Sequence, residues 1–257
     1  LSLGTRYRGQ ATGTFGLAAY FSFQWNKPYT SGLGGMAVTS DADLAQRITD
    51  LQDGEAVQPS PGEVRMLRAQ IAVYRTTIYP RTTALAQTAF RALTRMGLVV
   101  GSSSNAEFAP DMAPDFFKGM SDLQARIGLS QLGKLERNLA HRRQMVEVYD
   151  HLLTESGWPV KVLPSYAEPV LVRYPVRVAD KARALAAAPR HLVELGSWFE
   201  CPLHPQETDM SLYGYHTGMC PEADRACREV VNLPLHPRTS PATARRSVEF
   251  ISTIGPA

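Results

Sequence analysis

The chain has 257 residues, 44% hydrophobic and 20% charged, which is ordinary globular composition and enough to bury one large or two smaller cores. The formal charge is +3, and the 22 Arg and five Lys form no dense block, which argues against a nucleic-acid binder. No run of about 18 apolar residues offers a membrane span, no signal peptide is visible, and Cys201, Cys220 and Cys227 lack C-x-x-C spacing. They read as packing residues in a reducing, cytoplasmic setting, not as a disulfide framework or a metal site.

Leu17 to Phe23 (LAAYFSF) is rich in aromatic and apolar residues and predicts a buried strand. A loop with Lys27, Pro28 and several glycines leads to a second short strand, Gly35 to Thr39 (GMAVT). Asp41 is placed to cap a helix running through Ile48. After the break at Gln58 to Gly62, Val64, Leu67, Ile71, Tyr74 and Ile78 share one helical stripe that Pro80 ends. Leu85, Ala89, Leu93 and Met96 make a second stripe. Together they predict a helical hairpin over about 58–97, packed through its apolar seam on the protein's own body or on a dimer partner. Arg65, Arg68, Arg75, Arg81, Arg91 and Arg95 then face outward. Contact of those arginines with an anionic membrane surface is the less favoured reading.

Ser121 to Glu155 is the longest periodic segment. Leu123, Ile127, Leu132, Leu135, Leu139, Val146, Tyr149 and Leu153 supply its apolar face, and Ser121 can cap its start. Beyond Gly157 come a strand at Val170 to Val178, a short helix at Asp180 to Ala188 and a short strand about Leu192 and Val193. A helix opens at Pro221, Asn232 to Pro237 is extended, and a helix over Ser240 to Ile251 closes the chain. The reading is α/β.

Phe21 to Met36 (FSFQWNKPYTSGLGGM) carries the chemistry. A strand delivers Ser22, Gln24 and Lys27 to its C-terminal end, where open α/β sheets form their ligand crevices. A lysine that forms an imine needs a fixed position and a partly dry site, because only the neutral amine attacks an aldehyde. Ser22 can donate its hydroxyl to a phosphate oxygen, and Gly32, Gly34 and Gly35 let the backbone turn tightly. By itself, a lysine after a strand is an ordinary surface residue, and GLGG is neither G-x-G-x-x-G nor a P-loop.

The run Ser22-Phe23-Gln24-Trp25-Asn26-Lys27, followed by Gly32-Leu33-Gly34-Gly35-Met36, resembles the lysine motif of the DegT/DnrJ/StrS family of pyridoxal-phosphate (PLP) sugar aminotransferases. Gly13-Thr14-Phe15-Gly16 resembles the family's lead-in, and Met120 to Leu132, with Arg142, Arg143 and Tyr149, its M-x-D helix. Gly218 to Ala223 and Leu233 to Pro237 resemble its closing motifs. The blocks stand in the family's order and leave out about Glu55 to Asp115.

The resemblance implies the PLP-dependent transferase fold-type I. A truncated large domain, 1–120 with the 58–97 insertion, would be joined by a linking helix, 121–156, to a C-terminal small α/β domain, 157–257. It implies Lys27 as the Schiff-base lysine, with Ser22 and Gln24 as further cofactor-binding residues. His204, His216 and His236 are candidates for substrate contacts, and no metal is implied. The implied activity is transfer of an amino group, from glutamate, to a keto-sugar, usually nucleotide-linked, in amino-sugar, polysaccharide or antibiotic biosynthesis, by a cytoplasmic homodimer. A sugar dehydratase and a non-catalytic cofactor-binding regulator of the same fold are the alternatives, with a membrane-associated scaffold behind them. The family's phosphate-holding helix, ring-stacking aromatic and ring-pairing Asp would precede Leu1, so the chain reads as a fragment, inactive by itself. Two positions depart from the pattern. Leu33 stands where the family often has an acid, and Phe116-Phe117-Lys118-Gly119 stands where an Asn usually reaches the partner's phosphate, with Lys118 the candidate replacement cation.

Overall fold

A computed structural model describes residues 2–77, 82, 83, 86, 89, 93, 116–203 and 209–257. These fall into two compact units. The first holds 2–75, 116–144 and 161–172. The second holds 145–160, 173–203 and 209–257, with the few described positions from 76 to 93.

In the first unit, β1 (Arg6–Tyr7) lies between β2 (Gln10–Ala11) and β5 (Ala167–Glu168), all antiparallel. β3 (Ala18–Ser22) pairs antiparallel with β4 (Gly35–Thr39), with Ser22 opposite Gly35 and Ala18 opposite Thr39. Both strands lie where the sequence places them, but β3 is not the buried strand its apolar residues predict: Leu17 and Tyr20 are exposed, and only Phe23, just past its end, is buried. α1 (Ala42–Glu55) is capped as expected, the Asp41 carboxylate accepting from the Leu44 N–H at 2.8 Å. It continues past Ile48 to Glu55, aided on its exposed face by Gln46 donating to Asp50 one turn on.

α2 (Pro61–Thr77) begins with a reciprocal cap: the Ser60 N–H donates to the Glu63 carboxylate and the Glu63 N–H to the Ser60 hydroxyl. Its stripe falls inward as read. Leu67 is buried, Val64, Ile71 and Tyr74 are half-buried, and Arg65, Arg68 and Arg75 are exposed. Of the second arm of the expected hairpin, Thr83, Ala86, Ala89 and Leu93 are helical. Leu93, expected in the apolar seam, is exposed instead. Ile78, Pro80, Arg81, Leu85, Arg91, Arg95 and Met96 lie outside the described residues.

The long periodic segment is two helices, not one. α3 (Asp122–Leu132) ends at Gly133, and α4 (Leu135–Glu155) starts afresh. Ser121 opens α3 with a full capping box with Gln124. Leu132, read as inward, is 58% exposed because it sits at the break, whereas Leu139, Met145, Tyr149 and Leu153 form the buried face of α4.

In the second unit, β6 (Arg173–Arg177) pairs antiparallel with β7 (Val230–Pro234), Tyr174 opposite Leu233. β6 is shorter than the expected Val170 to Val178. The helices α5 (Lys181–Ala187), α6 (Pro221–Glu229) and α7 (Pro241–Ser252) are where expected, the first capped by Asp180 and the last by Ser240. Leu192 and Val193 form no strand. A 3-10 turn over Ala188–His191 ends with Leu192 in the left-handed region at φ 54°, which turns Val193 into the core. Val178, Val231, Leu233, Leu235, Val248 and Ile251 fill that core with Tyr149 and Leu153, each large side chain worth roughly 1.5–3 kcal/mol of burial.

Candidate active site

The site is built on the long connection between β3 and β4. Strand alternation puts Ser22 and Gln24 on one face and Phe23 on the other, where Phe23 is buried edge-on against Tyr29, ring centroids 4.5 Å apart. The loop then folds back on the strand. The Phe23 N–H donates to the Gly34 carbonyl at 2.8 Å, and the Phe23 carbonyl accepts from Ser31 N–H and Thr30 Oγ1 at 3.0 and 2.9 Å. Gly32 bridges Gln24 at φ +90°, a conformation that L side chains rarely adopt. The Ser22 hydroxyl accepts weakly from Gln24 N–H at 3.5 Å, and so keeps its own proton to donate.

Lys27 sits half-buried on the outer bend of this loop, its N–H donating to the Gln24 carbonyl at 3.2 Å. Pro28, which is buried, steers Lys27 away from helical backbone. Asn26, just before it, is left-handed at φ 68°, a region Asn tolerates better than most residues.

Three helices hold the loop. From α4, Asn138 donates to the Pro28 carbonyl. Arg142, 1% exposed, donates to the carbonyls of Val172 at 2.7 Å, Leu171 at 3.2 Å and Asn26 at 3.5 Å, and to Asn138 Oδ1 at 3.1 Å. From α3, Gln124 Nε2 donates to the Leu33 carbonyl at 3.0 Å. From α2, the Tyr74 hydroxyl donates to Asn26 Oδ1 at 3.0 Å, and its ring lies 5.0 Å from that of Trp25. The sequence pattern contained Gln124 and Arg142 without their roles and placed Tyr74 on an apolar helical stripe without its bond to Asn26; Asn138 it did not single out at all.

The other sequence candidates are dispersed. His204 lies outside the described residues, and His216 is exposed. His236 belongs to the second unit with both ring nitrogens engaged: Nδ1 accepts from the Arg238 N–H at 3.2 Å, so Nε2 carries the proton toward Glu194 at 3.0 Å. Arg173 pairs with the other Glu194 oxygen at 3.2 Å. Burial alone would raise the Glu194 carboxyl. His236 and Arg173 together outweigh that and hold it below the usual carboxylate range. Lys118 does not stand open for a phosphate: it is paired with Glu63, and that hydrogen bond, with those from Ser60, holds the Glu63 carboxyl down at about 2. Of the cysteines read as packing residues, Cys201 and Cys227 are half-buried and Cys220 is exposed. Among the described residues, no group of three or more His, Cys, Asp or Glu is gathered for a metal, and no helix is long and apolar enough to cross a membrane.

A strand-end lysine in a braced α/β loop defines a class of lysine-carrying sites. Comparison with known proteins narrows it: the chain belongs to the DegT/DnrJ/EryC1/StrS aminotransferase family, whose model matches residues 1–66 and 82–252. It is 29% identical over 178 residues to L-glutamine:2-deoxy-scyllo-inosose aminotransferase of Streptomyces kanamyceticus, covering 69% of this chain and 33% of that protein. It is 24% identical over 255 residues to a pleiotropic regulatory protein of Geobacillus stearothermophilus, covering 98% of this chain and 55% of that one. The fold is that of Spr1654 of Streptococcus pneumoniae in its PLP form, with a TM-score of 0.66 at 17% identity, over 98% of this chain and 55% of that one. The chain thus spans between a third and about half of the length of these relatives.

Proposed function

We propose that the protein to which this chain belongs is a PLP-dependent aminotransferase acting on a polyhydroxylated ketone, a keto-sugar or a closely similar cyclitol. The observation that carries the reading is Lys27 itself, in a run that resembles the family's lysine motif and in a half-buried loop whose backbone is pinned on both sides. The donor set fits the cofactor: an amine for its aldehyde, and the Ser22 hydroxyl and Gln24 amide on the same strand face for its polar edge. When bound, the cofactor ring supplies an electron sink for the bond broken at the donor's α-carbon. Lys27 Nζ would hold the aldehyde and, once the donor's amine has taken its place, would be free to move the proton at that α-carbon as base and acid. Ser22 and Gln24 orient the group, and the Arg142 and Asn138 contacts keep the loop from drifting. Glutamate or glutamine is the amino donor. A nucleotide-linked acceptor, a homodimer and a cytoplasmic location complete the proposal.

Borohydride reduction of the cofactor-loaded protein carrying the whole fold tests it. Peptide mapping should find the cofactor on Lys27, and Lys27→Ala should abolish transamination. Trapping on another lysine, or an active Lys27→Ala, would overturn the reading. The regulator alternative is favoured by the relative that spans nearly the whole chain. Cofactor trapped on Lys27 without turnover, across a panel of keto-sugars and amino donors, would support that reading instead. The expected homodimer is read by light scattering, where an active monomer would count against it.

A further inference from the structure

α2 (Pro61–Thr77) carries Tyr74 within 67–81, the stretch that the family model leaves unmatched, yet it reaches the loop that carries Lys27. We propose that Tyr74 on this helix is a positioning residue for Lys27, acting through Asn26; the proposal rests on the Lys27 reading above. Asn26 is held at both ends. Its side-chain oxygen accepts from the Tyr74 hydroxyl at 3.0 Å, and its carbonyl from Arg142 at 3.5 Å. A left-handed residue is costly to hold unless its surroundings fix it. The two contacts set the direction in which the chain enters Lys27, and the Asn138 bond to Pro28 sets how it leaves.

The Tyr74 ring adds to this by tilting over Trp25 at 5.0 Å. One helical layer earlier, Leu67 packs under the same loop: a side chain at Gly32 would meet Leu67 and Trp25 at 3.2 and 3.3 Å. A reacting amine displaced by an ångström can cost about a hundredfold in rate. A neutral hydrogen bond worth about 1 kcal/mol shifts a conformational balance by about fivefold.

Tyr74→Phe, made in the cofactor-loaded protein carrying the whole fold, removes only the hydroxyl. We expect kcat to fall by about fivefold, with KM for donor and acceptor within about twofold of the parent. Amide hydrogen exchange in peptides covering 22–34 should quicken by about the same factor, with or without cofactor, while peptides of α4 stay unchanged. Asn26→Gly keeps the left-handed backbone but removes the acceptor, so adding Tyr74→Phe to it should bring no further loss. Exchange and kcat both unchanged in Tyr74→Phe would overturn the proposal. So would exchange that quickens equally throughout α2 and α4, the sign of a general packing role. Trapping on a lysine other than Lys27 in the parent would instead overturn the underlying reading, and it is seen before any variant is made.

Discussion

Lys118 lies in the stretch where the family pattern would have an Asn, and Glu63 holds its ammonium in the reciprocal cap of α2. That contact, together with the hydrogen bonds from Ser60, lowers the Glu63 carboxyl to about 2, below an ordinary glutamate at about 4.3. A depressed carboxylate stabilises the fold above its unfolded value and loses that contribution as pH falls through its folded value. The window is therefore from about 4.3 down to about 2. Both side chains are partly exposed, 32% and 42%, so the pair is worth at most about 1 kcal/mol. In Lys118→Gln, the Glu63 midpoint followed by carboxyl-carbon NMR should rise but stay below the ordinary glutamate range, because the Ser60 hydrogen bonds remain; a midpoint left near 2 would refute Lys118 as the main cause. Glu194 is a different case, because it is 2% exposed between Arg173 and His236. Glu194→Ala leaves the 10% exposed Arg173 charge buried without its carboxylate and should cost about 3–5 kcal/mol in urea unfolding. A loss under about 1 kcal/mol would show that water reaches Arg173 freely.

The elements show which signals the sequence carries and which it does not. Ser121 and Asp41 were legible as caps because a cap is local chemistry, a side-chain oxygen beside free N–H groups. The break at Gly133 was not, because leucines continue on both sides of it and apolar spacing cannot see a helix end between them. Leu192 and Val193 were read as a strand because apolar pairs report burial, not backbone conformation. The family was legible through the motif around Lys27, whereas Tyr74 lies 48 residues from Asn26, a pairing that no local pattern contains. Gly128 in α3 carries a similar long-range message. A methyl group there would lie 2.6 Å from the Tyr29 hydroxyl oxygen. Gly128→Ala should therefore push Tyr29 outward and loosen the Lys27 loop, despite the ~1 kcal/mol that alanine adds to an isolated helix. Hydrogen exchange of peptides 22–34 should quicken in Gly128→Ala and recover in Gly128→Ala with Tyr29→Phe, since the hydroxyl is the atom that overlaps. A double variant no better than the single would place the conflict elsewhere.

At the scale of the whole molecule, the central hairpin of the first unit is unfinished. Among the described residues β3 and β4 pair only with each other, and an isolated two-stranded sheet is marginal in water. Its surface is apolar where a lone hairpin should be polar: Tyr20 is 87% exposed, Leu17 67% and Met36 49%. The chain also spans only about 55% of the solved relative whose fold it shares. A sheet with two open edges and an uncovered aromatic face recruits further strands, either the rest of its own fold or another copy. We therefore expect the 257-residue chain, produced alone, to self-associate through this hairpin. Light scattering should show species larger than 28.3 kDa whose size falls when Tyr20 and Leu17 are changed to Lys and Glu. We expect the same preparation to give no transamination, because the proposed site residues Lys27, Ser22 and Gln24 follow a hairpin that is uncovered among the described residues. Those surface changes leave Lys27 and its brace untouched, so a soluble but inactive variant would separate the two effects. A monodisperse 28.3 kDa monomer that transaminates a keto-sugar would show that the hairpin needs no further cover and that the site is complete within this chain.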